Sequence, residues 1–379
     1  MSRSAASQSC WHIYGVVHLH TSTTPKNGNF GSFISDRLRD FLSQTLFLPL
    51  PLTSNSSAMS SSTQGGSFTP VGAILPSIEI SKRRLKQLDM IQLVRDQRET
   101  GIQTLGFNAR PFILCGIPLR RPPADQLVHA RRNGRFFLEI TAHPRFGLPF
   151  GQDRLIPIWV ATLAVRQKTR TVRFGSAAHI LDFFHLPKDG PHYRRIVAGF
   201  KRVFAATIFF GTDQQTQATA VIDLARFHFF DRIQLWFNAG EEKNPAPPHN
   251  LENEIVLSEA FYREIDEHRI PVEREAVAAL AHAPGVLDFY MWLVWKSWTV
   301  KGHPAQVPLV APNGLSEQLG SVIYTHSRFF RFKIRSWLRQ VKALWPECPA
   351  TISPDGDYIV IQSSQRNPAI KARKNSASL

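Results

Sequence analysis

Apolar positions fall into helical register from Ile80 to Arg98, where Leu85, Leu88, Ile91, Leu93 and Val94 recur among Lys82, Arg83, Arg84, Lys86 and Arg95. Leu127–Thr141 alternates instead, and Asn133-Gly134 in its middle predicts a hairpin closed by a type I′ turn. Beyond it one order of elements occurs twice. Leu155–Gln167 predicts an apolar helix, Thr171–Phe174 a short strand and Ser176–Leu186 a capped helix. The breakers Pro187 and Gly190 follow, then a long helix over His192–Ile208 and a β-rich stretch over Ala220–Phe237. In the second copy Val286–Thr299 is the apolar helix, Gln306–Val310 the strand, Asn313–Leu319 a short helix and Ser327–Leu344 the long one. Ala350–Ser353 and Tyr358–Gln362 then predict a hairpin around Asp355-Gly356. Between the copies, Asn238–Asn250 carries Gly240, Pro245, Pro247 and Pro248 and reads as a boundary; Ile255–Leu257 is a strand candidate and Ser258 caps a helix reaching His268.

Helix, strand, helix, helix, hairpin is the order of a winged-helix domain, a relative of the helix-turn-helix. The expected fold is therefore α+β: tandem winged-helix domains preceded by a small β-hairpin segment and a disordered N-terminal arm. Thr53–Gly66 is Ser/Thr/Gly-rich and cannot bury enough apolar surface to offset its ordering entropy. Residues 1–75 are accordingly read as a disordered arm, with Met59 as an alternative start of translation. The remaining divisions are 76–145 (helix plus hairpin lead-in), 146–237 (first winged helix), 238–253 (linker), 254–362 (second winged helix) and 363–379 (basic disordered tail).

Composition adds a direction to this pattern. The chain has 379 residues, ample for two cores, but 45 Lys+Arg stand against 29 Asp+Glu, a formal charge of +16. Such a surplus selects a polyanionic partner. No run of about 20 apolar residues predicts a spanning helix, and no membrane partner is expected. Cys10, Cys115 and Cys348 are odd in number and far apart, so neither a disulfide framework nor a zinc site is predicted, and a reducing cytoplasm fits best. No cofactor is implied and no P-loop is present. His18-Leu19-His20 has the form of a metal-dependent nickase motif but lacks a tyrosine partner in a suitable place, so an origin nickase is a minor alternative to a non-enzymatic protein.

The basic residues concentrate on two helices. In Ser327–Leu344, Phe330, Ile334, Trp337, Leu338, Val341 and Trp345 share one arc, while Arg328, Arg331, Arg335, Arg339 and Lys342 lie together on another, with Lys333 elsewhere. No acid interrupts them. Surface helices ordinarily mix signs, because like charges one turn apart repel; a one-sign stripe makes sense where phosphates neutralise it. His192–Ile208 repeats the feature with Arg194, Arg195, Lys201 and Arg202. These ten residues are the candidate DNA contacts, and Arg328, Arg331 and Arg335 the candidate base readers. Trp292, Trp295 and Trp298 recur along a helix that is apolar nearly all round, which predicts core burial. Gln87-Leu88-Asp89-Met90-Ile91 partly matches a sliding-clamp docking peptide, a weak candidate partner motif.

Phe146–Gly211 resembles the plasmid-encoded RepA-type replication initiators, as do Val286–Trp298, Pro312–Ser321 and Phe329–Ser353; the similarity runs from about Pro111 to Gln362. That resemblance implies a protein that binds origin DNA at repeated sites, promotes local melting and recruits the host replicative helicase and host initiator. It also implies two winged-helix domains and a switch between a repressing homodimer and an initiating monomer. His192–Ile208 and Ser327–Leu344 would be the DNA-reading helices. Asp355 and Asp357 around the wing glycine depart from a phosphate-binding wing. A transcriptional autorepressor without an initiation role is the alternative within the same binding class.

Overall fold

The computed structural model describes residues 82–176, 178–215, 220–235, 253–319 and 326–363. The expectations for residues 1–75 (the arm, the Met59 start, His18 and His20), for nearly all of the linker and for the tail from 364 onward lie outside them.

The lead-in comprises helix α1 (Lys82–Thr100), strand β1 (Leu105–Asn108), the short α2 (Arg110–Leu114) and the hairpin β2 (Val128–Asn133) and β3 (Phe136–Thr141). The hairpin forms where its alternation predicts, but Asn133 pairs with Phe136 and only Gly134 takes a positive φ, 57°. The two-residue loop is therefore Gly134-Arg135, with the glycine first, which is the II′ pattern rather than the expected I′.

In the first copy, α3 (Leu155–Gln167) leads through β4 (Thr171–Phe174) to α4 (Ala178–Phe183) and α5 (Gly190–Phe204). Helix α4 stops short of the predicted Leu186 because His185 adopts φ 51°, a left-handed conformation that cannot continue a helix. Helix α5 begins where Asp189 accepts a hydrogen bond from the His192 amide at 2.8 Å, and it ends four residues before the predicted Ile208. The reason is tertiary. Thr207–Gln215 is strand β5, whose Ile208 and Phe210 stand opposite Ile140 and Leu138 of β3. With β6 (Ala220–His228) they make a four-stranded antiparallel sheet ordered β2-β3-β5-β6.

A second sheet changes the division of the chain. Strand β8 (Asn253–Leu257), expected to open the second domain, pairs with β4 and with β7 (Phe230–Gln234) in the order β4-β8-β7. Ile255 and Leu257 complete the core of the first copy, so the boundary read at 238–253 falls inside a sheet. From β8 the chain enters α6 (Glu259–His268), capped by Ser258, then β9 (Ile270–Glu273), which pairs antiparallel with β1, and α7 (Arg274–Leu280).

The second copy keeps the predicted order: α8 (Pro284–Thr299), β10 (Ala305–Pro308), α9 (Leu315–Leu319), α10 (Ser327–Leu344), β11 (Ala350–Ile352) and β12 (Tyr358–Ile361). Its three strands form an antiparallel sheet ordered β10-β12-β11. Helix α8 is buried along most of its length, as its all-round apolar sequence predicts, although Trp298 at its end is exposed while Trp292 is wholly buried. Gly285 in its first turn lies directly against the Trp337 ring of α10, leaving no room for a Cβ.

The described residues share one continuous core, and the two copies meet through a buried ion pair. Arg154, in the 3-10 turn before α3, donates Nε to Asp288 Oδ1 at 2.7 Å and Nη2 to Asp288 Oδ2 at 2.8 Å. Asp288 lies on α8, so the spacing of the copies is held by core contacts and not by the linker alone. Gly116 passes so close that a Cβ there would sit 2.8 Å from Asp288 Oδ2. Its carbonyl accepts from His129 Nε2 at 3.0 Å.

Burial, followed by the charge of Arg131 and Arg154, pushes the His129 imidazole down to about 4. Folding thus excludes a proton that the unfolded chain binds below about 6.5. The stabilisation is complete above that value and drains away as pH falls toward 4, a loss on the order of 3 kcal/mol. Urea midpoints measured between pH 7 and 5, above the carboxylate range, are expected to fall with pH in the wild type and to flatten in His129→Asn.

Candidate nucleic-acid interface

Helix α10 buries Phe330, Ile334, Trp337, Leu338, Val341 and Leu344. This is the arc that spacing predicts, and Trp345 beyond the helix end is buried with them. A helix pinned by that many apolar contacts presents its other face in a defined orientation. Its C-terminus is fixed independently. Arg95 of α1 donates to the Ala343 carbonyl, and Arg98 Nη1 donates to the Leu344 carbonyl at 2.6 Å. Both carbonyls belong to the last turn, which has no intrahelical donors, and cationic donors there also complement the helix dipole. Arg98 is itself held by Glu273, with Nε 3.0 Å from both carboxylate oxygens. Tyr290 Oη and Gln103 Nε2 donate to the same carboxylate at 3.2 and 2.9 Å. The separate sequence signals for α1 and α8 do not reveal this cluster, because Arg98 and Tyr290 lie 192 positions apart and β9 between them carries no signal of its own.

On the outward face, Arg328, Arg335 and Arg339 are exposed. They fall on one side of the helix at spacings of seven and four residues, and no ion pair to any of the three is found among the described residues. Lys342 continues the stripe half-buried. Arg331 sits beside it but is partnered: its Nη2 lies 2.7 Å from Asp357 Oδ1 at the base of the β11–β12 turn. Lys333 is half-buried on another side near Arg120, and burial lowers its ammonium pKa. Arg335 packs over Gly356 of the same turn, where φ is 79°.

The turn's acids have identifiable duties. Asp355 Oδ1 accepts from the Asp357 amide at 3.0 Å and from the Ser353 hydroxyl, and these bonds hold its carboxyl below the ordinary value. Asp357 accepts from Arg331. The acidity that argued against phosphate contact at this turn is therefore partly consumed within the fold.

Helix α5 divides in the same way. Ile196, Gly199, Phe200 and Val203 are buried, and Arg194 and Lys201 point farthest from them, both exposed. Arg195 and Arg202 flank this face on the side of the 3-10 turn. Arg195 donates to Gln152 Oε1 at 3.0 Å. Arg202 forms a two-pronged pair with the buried Asp153 at 2.7 and 2.9 Å and lies 4.5 Å from the Phe150 ring centroid. Arg202, a candidate DNA contact by sequence, is thus committed to fixing α5 against the turn. Gly199 permits that approach, since a Cβ there would meet Asp153 Oδ1 at 2.6 Å.

Of the other candidates, Gln87–Ile91 is helical within α1, and Leu88 on it is exposed. Cys115 and Cys348 are buried, and burial pushes their thiols up to about 12 and about 11. Among the described residues no His/Cys/Asp/Glu group could hold a metal ion, and no helix is long and apolar enough to cross a membrane.

Residues 195–307 match the family described as plasmid encoded RepA protein. The match begins in α5 and ends in β10, before α10. No curated protein matches the chain. Two crystal structures, both of domains 2 and 3 of RctB, are similar over 67% and 65% of this chain and 98% and 94% of theirs. Identity is 14% in each case and the TM-scores are 0.42 and 0.41, too distant to carry an argument.

Proposed function

We propose that this chain, in which residues 195–307 match the plasmid-encoded RepA proteins, is a non-enzymatic replication initiator that binds duplex origin DNA. The observation that carries the reading is the outward stripe of Arg328, Arg335 and Arg339 on a helix whose opposite face and C-terminus are locked. In this reading each copy is a winged helix. A sheet ordered β10-β12-β11 and a β11–β12 turn lying against α10 support that assignment for the second copy. Helix α10 enters the major groove, and α5 supplies a second contact through Arg194 and Lys201.

Phosphate contacts supply salt-dependent affinity without sequence information, and guanidinium groups at guanine edges supply sequence choice. Arg331 steadies the turn through Asp357, which leaves Arg328 and Arg335 of the N-terminal trio, with Arg339 beside them, to read bases. The resemblance to RepA initiators adds local melting, a host helicase and a host initiator as partners, a homodimer as the repressing form and a bacterial cytoplasmic setting.

Footprinting of the full chain on the plasmid DNA flanking its gene tests this function. Protection of repeated duplex sites is expected, together with loss of plasmid maintenance when the gene is deleted. A protein that protects only its own promoter and whose loss leaves copy number unchanged would be an autorepressor instead. Nicked circles formed from supercoiled origin plasmid in the presence of a divalent metal would mark a nickase.

A further inference from the structure

The segment between α2 and β2 runs along the seam between the two copies, and three hydrogen bonds pin it there. On the side of the second copy, the Gly116 amide donates to the Gln318 carbonyl of α9 at 3.2 Å. On the side of the first, Arg154 Nη2 donates to the Ile117 carbonyl at 3.0 Å and the Gly151 amide to the Pro118 carbonyl at 3.0 Å. Pro118 before Arg120-Arg121 and Pro122-Pro123 after them narrow the backbone's freedom further. Both arginines are exposed, and no ion pair to either is found among the described residues.

Two adjacent arginines on a surface loop are ordinary solvated charges. These two are carried on a fixed segment, and beside a like charge. Burial, and then the charge of Arg120, lowers the pKa of the Lys333 ammonium on α10. Lys333 lies across the helix from Arg331 and Lys342. The β11–β12 turn therefore borders one flank of α10, through Arg331, and the Arg120 segment borders the opposite flank. A helix lying in the major groove nearly fills its width and has a phosphate backbone on either side. The arginine stripe serves one side; on the other, the helix itself offers only the half-buried Lys333. The segment also reaches toward α5, because the 3-10 turn it bonds to holds Gln152, the acceptor for Arg195. We infer that Arg120 and Arg121 form a phosphate-binding strap at the seam, gripping the duplex backbone between the groove taken by α10 and the contact made by α5. This rests on the proposed binding of duplex DNA and adds a contact that neither basic helix supplies. The strap carries affinity and no sequence choice.

The test measures the full chain across a salt series on two duplexes, the one it selects from a random-sequence library and a scrambled one of the same length. Removing two phosphate contacts in Arg120→Ala/Arg121→Ala should make the slope of log affinity against log salt shallower by about two. Both duplexes should weaken by the same factor, with the thermal midpoint unchanged; Arg120→Gln/Arg121→Gln is a second neutral pair that should behave alike. Arg120→Lys/Arg121→Lys keeps the charge and should keep the slope. Ethylation of single phosphates should locate one or two backbone positions whose modification weakens the wild type but not the neutral pairs. A wild-type slope in a folded neutral pair, a lysine pair as weak as the neutral ones, or a loss confined to the selected duplex overturns the strap and leaves duplex binding standing. Failure of the wild type to select any duplex overturns the binding function as well.

Discussion

Replacing Asp288 by alanine should cost about 3–5 kcal/mol of folding stability, the largest loss expected from any single change in this chain. Asp288 and Arg154 are 3% and 4% exposed in their side chains, so neither charge has water to fall back on. Removing the carboxylate strands a guanidinium that cannot give up its proton at any pH the protein tolerates. The reverse change is asymmetric. Burial already pushes the Asp288 carboxyl upward against the pull of Arg154, so in Arg154→Ala the orphaned acid can take up a proton and become neutral. The Ile117 and Gly151 carbonyls would still lose their donor in that variant. Asp288→Asn should fall between these cases. Chemical denaturation of the three variants at pH 7 and pH 5 is the check: Arg154→Ala should lose less than Asp288→Ala and should recover relative to wild type at the lower pH. Equal losses, unchanged by pH, would mean that the pair is held together by shape and not by charge.

Clearing the outward stripe of α10 should have the largest effect on binding. In Arg328→Ala/Arg335→Ala/Arg339→Ala, each arginine that touches a base edge contributes about 1–3 kcal/mol. Each one that only neutralises a phosphate contributes about 0.9 to the slope of log affinity against log salt. The triple variant should thus bind the footprinted site at least a hundred-fold more weakly at moderate salt and show a shallower slope. It should remain folded, because all three positions lie off the buried arc and none has an ion-pair partner among the described residues. Arg202→Ala makes the informative contrast. That arginine is pinned to Asp153, and its loss should appear mainly in thermal stability. A folded triple variant with wild-type affinity and slope would remove α10 from the interface altogether.

Much of this architecture was legible before any coordinates. The apolar arc of Ser327–Leu344 and the hairpin after it follow from periodicity and from one glycine turn, because both are set by residues within a few positions of each other. The one-sign stripe was equally plain, since it needs only the helical repeat and a count of acids. Three things were not. Strand β5 was missed: Thr207 and Ile208 looked like the end of a helix and Phe209–Gln215 carried no assignment, because Ile208 is apolar in either conformation and only pairing with β3 decides between them. Strand β8 was assigned to the wrong half, because the proline-rich stretch before it looks like a boundary whichever sheet the chain returns to. Arg202 and Arg331 looked like Arg335, because nothing local distinguishes an arginine facing solvent from one facing Asp153 or Asp357.

By itself, then, the amino-acid order determined most helices, most strands, the α+β class and the cationic character of two long helices, all consequences of short-range spacing. Tertiary structure alone decided which strands share a sheet, how α8 and the 3-10 turn are bolted together through Asp288 and Arg154, and which arginines are spent inside the protein. The physical reason is one of range. Backbone propensity and side-chain periodicity act over one or two turns, whereas sheet partners and buried ion pairs join residues from tens to more than a hundred positions apart, and their energies exist only once the chain has brought them together.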